Sequence, residues 1–140
     1  MFGKNKTPDL KTIIGVGTEI IGDLHFTGGL HVDGIVKGNV TADQGARSVL
    51  TVSENGNIEG EVRVPNITIN GVVMGDVYAS QRVELAPKAR VTGTVYYHLL
   101  EMAMGAEVNG QLIRADENSP KLLGYKEEEK EEHQGKWSKS

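Results

Sequence analysis

The sequence predicts an all-β protein, a parallel β-solenoid of about six rungs. A seven-residue shape centred on glycine recurs six times along the chain. An apolar–x–apolar triplet lies between successive copies, the period-two mark of a half-buried strand. No helical periodicity interrupts the series.

Gly71-Val72-Val73-Met74-Gly75-Asp76-Val77 is the clearest copy. The copies are centred on Gly22, Gly38, Gly60, Gly75, Gly93 and Gly110. Two residues before each glycine stand Ile20, Val36, Ile58, Val73, Val91 and Val108. One residue after stand Asp23, Asn39, Glu61, Asp76, Thr94 and Gln111, and two after stand Leu24, Val40, Val62, Val77, Val95 and Leu112. No column has an exception. The triplets between the motifs are Leu30-His31-Val32, Leu50-Thr51-Val52, Ile67-Thr68-Ile69, Val83-Glu84-Leu85 and Leu100-Glu101-Met102. Each repeat therefore holds a strand into the glycine, a bend, a strand out of it, and a further strand before the next motif. Parallel stacking places like residues over like, so the apolar columns merge into one core. Glycine supplies bend angles that a Cβ makes costly. The polar column after it is expected to face solvent.

In chain order, residues 1–12 read as a flexible N-terminal tail, because Pro8 and three lysines precede any periodicity. Residues 13–115 hold the solenoid. The motif glycines are spaced 16, 22, 15, 18 and 17 residues apart, and the long interval predicts an extra loop around Asp43-Gln44-Gly45-Ala46-Arg47. Residues 116–140 read as a disordered C-terminal tail, given the charge block Lys126-Glu127-Glu128-Glu129-Lys130-Glu131-Glu132. Trp137 lies among polar residues there.

Composition narrows the function classes. The 140 residues suit one domain, with 18 glycines and only 5% aromatics, so the core must be small and aliphatic. There is no cysteine, hence no disulfide scaffold and no thiolate zinc site. A net charge of −4 argues against nucleic-acid binding, which needs a basic face. No apolar run is long enough to span a membrane, and the first residues lack a signal-peptide core.

Catalytic and cofactor motifs are equally sparse. Gly15-Val16-Gly17 before Gly22 lacks the spacing, the following helix and the lysine of a phosphate cradle, and reads as the first rung. His25, His31 and His98 form no zinc-ligand pattern and read as strand histidines facing outward. The carboxylates occupy outward columns and form no acid–base dyad. No catalytic residue, metal or cofactor is expected, and no nucleotide.

The ends and the start of the chain carry the functional expectations. A parallel solenoid leaves an unpaired strand edge at each end, and soluble solenoids normally cap it. No amphipathic cap is evident here. Ile13, Ile14 and Val16 open the first rung; Met102, Met104, Val108, Leu112 and Ile113 close the last. These eight residues are the candidate polymerisation interface. Phe2, Lys4 and Lys6 form a candidate membrane foot. Phenylalanine insertion is worth about 2 kcal/mol and each lysine about 1 kcal/mol at an anionic surface. The total of about 4 kcal/mol corresponds to roughly millimolar affinity, so firm attachment requires many copies on one polymer.

The six glycine rungs, above all Val32-Asp33-Gly34-Ile35-Val36-Lys37-Gly38-Asn39-Val40 and Ile69-Asn70-Gly71-Val72-Val73-Met74-Gly75-Asp76-Val77, resemble the bactofilin family of bacterial cytoskeletal proteins. The resemblance covers roughly residues 13–114 and the short N-terminal tail. It implies a right-handed, three-sided β-helix, a hand shared by most parallel crossovers. It implies nucleotide-independent filaments built through the terminal rungs, and a non-enzymatic scaffold on the inner face of the cytoplasmic membrane. Met1-Phe2-Gly3-Lys4 looks like the membrane-targeting start of many members. Expected partners are further copies of the chain, the membrane surface, and protein clients such as cell-wall or motility factors. The resemblance implies support of cell shape, polarity, wall synthesis or motility, without selecting among them. The competing reading is a hexapeptide-repeat acyltransferase, another solenoid. It requires a six-residue period that spacings of 16, 22 and 15 do not provide.

Overall fold

The computed structural model describes residues 11–44 and 47–115. Within them the chain winds through six rungs and contains no helix. Rung one holds β1 (Lys11–Ile14), β2 (Glu19–Ile21) and β3 (Leu24–His25). Rung two holds β4 (Gly29–Val32), β5 (Ile35–Lys37) and β6 (Val40–Thr41). Rung three holds β7 (Val49–Val52), β8 (Asn57–Glu59) and β9 (Val62–Arg63). Rung four holds β10 (Asn66–Ile69), β11 (Val72–Met74) and β12 (Val77–Tyr78). In rungs five and six the second and third strands fuse. Rung five has β13 (Arg82–Leu85) and β14 (Arg90–Tyr97); rung six has β15 (Leu99–Met102) and β16 (Glu107–Arg114).

Every pairing is parallel and in step. On the first face the order is β1-β4-β7-β10-β13-β15; β14 and β16 join the second and third faces into one sheet. Val36 stands over Ile58, Ile58 over Val73, and Val73 over Val91. Val40 stands over Val62 and Val62 over Val77, with Val77 over Val95. All of these are essentially inaccessible to solvent. β-branched side chains suit such columns because their restricted χ1 angle packs well on a pleated surface. Burying each valine or isoleucine contributes about 1.5–3 kcal/mol. The core is built from these short aliphatic steps, as the low aromatic content requires.

The glycine column has a steric cause beyond its bend angles. A Cβ on Gly38 would overlap the carbonyl of Gly22 in the rung before it, and one on Gly60 would overlap that of Gly38. The same holds at Gly75, Gly93 and Gly110, each over its predecessor. Gly93 also takes φ +141°, which an L side chain rarely adopts.

Repeat length varies at the first corner and at the connection from the third face to the next rung. Rungs two and four turn it through Asp33-Gly34 and Asn70-Gly71. The others use a longer turn closed by a backbone hydrogen bond, such as the Gly56 amide to the Ser53 carbonyl at 2.8 Å. The extra loop after β6 falls where the 22-residue interval places it. Gln44 from that loop reaches past rung three to rung four. Its Nε2 donates to the Tyr78 carbonyl at 3.3 Å, the Ser80 amide donates to its Oε1 at 3.2 Å, and the Ser80 hydroxyl donates to its backbone carbonyl at 3.0 Å.

Strand β1 starts at Lys11, ahead of the visible periodicity at Ile13. Its register pairs Thr12 with Leu30 and Ile14 with Val32, so Thr12 takes an inward place that sequence alternation hides. Of the N-terminal tail expected over 1–12, Lys11 and Thr12 belong to β1; residues 1–10 and the expected tail over 116–140, with Trp137, lie outside the described residues.

Candidate functional site

The two ends of the solenoid differ from its sides in both backbone and side-chain terms. β1, β2 and β3 each pair with rung two alone, while β15 and β16 pair with rung five alone. Among the described residues, nothing pairs with their outer edges. The end rungs thus offer rows of backbone donors and acceptors placed to continue a parallel ladder or to meet another strand.

At the first-rung end lies a hollow of about 380 Å³, lined by Ile14, Ile20, Leu24, Phe26 and Leu30 among others. It is the open top of the core. Only Ile14 and Leu30 of that group are buried; Ile20, Leu24 and Phe26 are partly covered. At the other end Met102, Val108 and Leu112 top three inward columns, above Leu85, Val91 and Val95. Met102 and Leu112 are exposed there, whereas their counterparts in the middle rungs are sealed.

The remaining candidate residues occupy other places. Ile13 pairs with His31 in an outward column, so it faces sideways and is exposed. Ile113 pairs with Tyr96 in another outward column. Val16 and Met104 sit on the first-corner turns of rungs one and six, and Met104 is 90% exposed. Phe2, Lys4 and Lys6 lie outside the described residues. Among the described residues, eight of the eleven exposed large apolar side chains belong to rungs one and six and none to rung five.

Three acids of the end rungs pair with cations of the adjacent rung. Glu19 on rung one pairs with Lys37 on rung two at 3.0 Å. On rung six, Glu101 pairs with Arg82 and Glu107 pairs with Arg90 at 3.6 Å, both partners on rung five. Each of these end-rung acids is tied back along the rod. Such exposed pairs contribute little stability, up to about 1 kcal/mol each.

The polar column beside the glycines does more than face solvent. Asp23 and Asn39 are exposed, yet their side-chain oxygens accept from backbone amides of the next rung. Asp76 does the same for Thr94 at 3.0 Å. On the outer side of the third face, Arg63 lies over the Tyr78 ring at 3.8 Å, and Tyr78 stacks on Tyr96 with centroids 4.7 Å apart. Burial, with the Tyr96 ring next, pushes the Tyr78 hydroxyl up to about 12. Sequence reasoning missed both features, although two consecutive tyrosines at Tyr96-Tyr97 signal an unusual rung.

The histidines take separate places. His25 Nδ1 lies 2.8 Å from the Thr41 hydroxyl, and His31 Nε2 lies 3.1 Å from Asp33. A hydrogen bond from Ser53 and the nearby His31 hold the Asp33 carboxyl below its usual value. No group of three or more metal-ligating side chains occurs among the described residues. No helix of the described residues is long and apolar enough to cross a membrane.

The described residues form a six-rung parallel solenoid whose end rungs leave strand edges unpaired and apolar side chains exposed, the architecture of a repetitive structural protein. Comparison with known sequences agrees: residues 12–113 match the family model described as bactofilin, polymer-forming cytoskeletal. The chain belongs to the bactofilin family. It is 30% identical over 111 residues to bactofilin BacO of Myxococcus xanthus strain DK1622, covering 79% of this chain and 85% of BacO. It is also 30% identical over 105 residues to bactofilin BacP of the same organism, covering 75% of this chain and 42% of BacP. Among solved structures it resembles the cytoskeletal bactofilin BacA, determined by solid-state NMR. That match has a TM-score of 0.66 and 29% identity, over 76% of this chain and 97% of the other.

Proposed function

We propose that this bactofilin assembles without nucleotide into filaments by stacking its terminal rungs, and that the filaments form a non-enzymatic scaffold on a membrane surface. The observation that carries this reading is the pair of open ends, where exposed apolar side chains coincide with unpaired strand edges. Stacking covers both at once. It removes apolar area from water at about 25 cal/mol per Å² and pairs backbone groups otherwise left to solvent. Met102, Val108 and Leu112 contribute at one end; Ile14 contributes at the other with Ile20, Leu24 and Phe26. Ile13, Val16, Met104 and Ile113 stand at the rims, where they pack against a neighbour's corner turns and outward columns.

Membrane attachment falls to Phe2, Lys4 and Lys6. Each copy binds weakly and the polymer binds through many copies. Liposome co-sedimentation tests this with wild type, Leu112→Arg and Phe2→Glu. Wild type is expected in the pellet, Phe2→Glu in the supernatant though still polymeric, and non-polymerising Leu112→Arg mostly in the supernatant. Equal sedimentation of wild type and Phe2→Glu would rule out the foot. Equal sedimentation of wild type and a monomeric Leu112→Arg would rule out avidity.

A further inference from the structure

One inward column of the first face carries hydrocarbon side chains in five rungs and a sulfur in the sixth. It runs Ile14, Val32, Val52, Ile69, Leu85 and Met102, in register from one end of the rod to the other. The first five are at most 7% exposed, while Met102 is 45% exposed on the end face. Met104, in the first-corner turn of the same rung, is more open still. Met74 lies on an outward column of the second face, in rung four, and is 50% exposed. These are the three methionines among the described residues. The chain has no cysteine, so no thiolate competes with its thioethers for an oxidant. A thioether adapts to irregular apolar contacts, whereas its sulfoxide is polar and disrupts them.

We propose that the Met102 thioether is a peroxide-oxidation site that controls stacking through the rung-six end. The proposal rests on the reading of the end rungs as the assembly interface and adds a chemical control to it. A sulfur lone pair attacks one oxygen of hydrogen peroxide and the O–O bond breaks. The oxygen bound to sulfur gives its proton to the departing hydroxide, which leaves as water. Sulfur is oxidised to the sulfoxide and the peroxide is reduced. On a free end, water hydrogen-bonds the new oxygen. In a closed junction the column offers it only hydrocarbon, so stacking strips that hydration without replacing it. The other end of the column is Ile14, which has no sulfur, so oxidation closes one end of the molecule and spares the other. Stacking in turn covers Met102, so the site reacts in the unassembled chain and at a filament's open rung-six end. Met74 sits on the side of the rod, away from both ends, and serves as the internal reference.

The test uses full-length wild type, Met102→Leu and Met74→Leu. Each is treated with hydrogen peroxide below the assembly concentration, freed of it, and assembled without nucleotide. Peptide masses report sulfoxide at each methionine, and sedimentation gives the critical concentration relative to the same protein untreated. Any effect of leucine itself on stacking cancels in that ratio. The ratio is expected to be about tenfold in wild type and Met74→Leu, and below about twofold in Met102→Leu. Equal ratios in wild type and Met102→Leu would overturn the proposal, assigning the effect to another methionine. So would wild type that assembles normally with sulfoxide at Met102, or a Met102 that stays unoxidised while Met74 reacts. A second arm treats preformed wild-type filaments. There Met102 is expected to oxidise several-fold more slowly than in the unassembled chain, and Met74 at an unchanged rate; an unchanged rate at Met102 would overturn the proposal. Untreated wild type that forms no filaments would overturn the stacking reading and this proposal with it, whereas filaments indifferent to the sulfoxide would overturn this proposal alone.

Discussion

The backbone amide of Asn39 donates to Asp23 Oδ1 at 2.9 Å, across the step from rung one to rung two. Asn39 then repeats the favour upward, accepting from the Glu61 amide at 2.9 Å. The glycine bend turns these amides out of the strand ladder, and a side chain from the rung before supplies the missing acceptor. An unmatched amide at such a corner costs about 1 kcal/mol. Asn39→Ala is expected to lower stability by about that amount, and Asn39→Asp, which keeps an acceptor oxygen, by much less. Thermal unfolding followed by circular dichroism measures both; equal losses would show that the oxygen is not what matters.

The two glycine-bearing corners separate steric need from mere smallness. A Cβ on Gly71 would overlap the Ser53 carbonyl, while a Cβ on Gly15 would meet nothing within 4 Å. Ala89 and Ala106 hold the matching corner place in rungs five and six. Gly71→Ala should therefore destabilise by several kcal/mol through forced backbone movement, and Gly15→Ala by less than about 0.5 kcal/mol. Chemical denaturation of the two variants decides it.

Val73 stands at the centre of the second-face column with no solvent access, and Thr92 is exposed on the same face. Val73→Asp buries an unpaired carboxylate and is expected to unfold the rod, a cost of several kcal/mol. Thr92→Asp should leave the β-sheet signal unchanged. Substantial helical content in the described region of the wild-type protein would contradict the fold itself.

Alkaline titration probes the outer tyrosine stack. The Tyr78 hydroxyl titrates near 12 in the folded chain, raised from 10.0 chiefly by burial. A raised folded value means the native state keeps its proton longer than the unfolded one. The associated stability is complete below about pH 10 and declines as pH rises towards 12. Its size is of order 1 kcal/mol once screening at the half-exposed ring is allowed for. Tyr78→Phe should flatten that alkaline decline, as read from unfolding midpoints between pH 9 and 12.

The columns of Val36-Ile58-Val73-Val91 and Val40-Val62-Val77-Val95 were readable in the sequence because stacking enforces one residue type at each level. The solenoid and its rung count follow from them. The irregularities were not readable. Thr12 breaks the apolar–x–apolar rule, and only its register with Leu30 shows that it takes an inward place. The alternation of short and long first corners at Asp33-Gly34 and Ser53-Glu54-Asn55-Gly56 appears in the sequence only as uneven spacing. The acceptor role of Asp23, Asn39 and Asp76 depends on which way an exposed side chain turns, and composition carries no sign of that. Of the assembly candidates, Met102, Val108, Leu112 and Ile14 share the inward columns and can be placed from periodicity. Ile13 and Ile113 fall in outward columns because strand register, not hydrophobicity, sets their direction.

The most direct test of end-rung stacking is electron microscopy of purified wild-type protein and Leu112→Arg at equal concentration, without nucleotide. Leu112 tops the column above Val95, so an arginine there places a charge on the end face while leaving the middle rungs intact. The expected result is filaments from wild type and folded, non-filamentous Leu112→Arg, with added ATP or GTP changing neither. Filaments of normal length from Leu112→Arg, or wild-type filaments that form only with nucleotide, would contradict it.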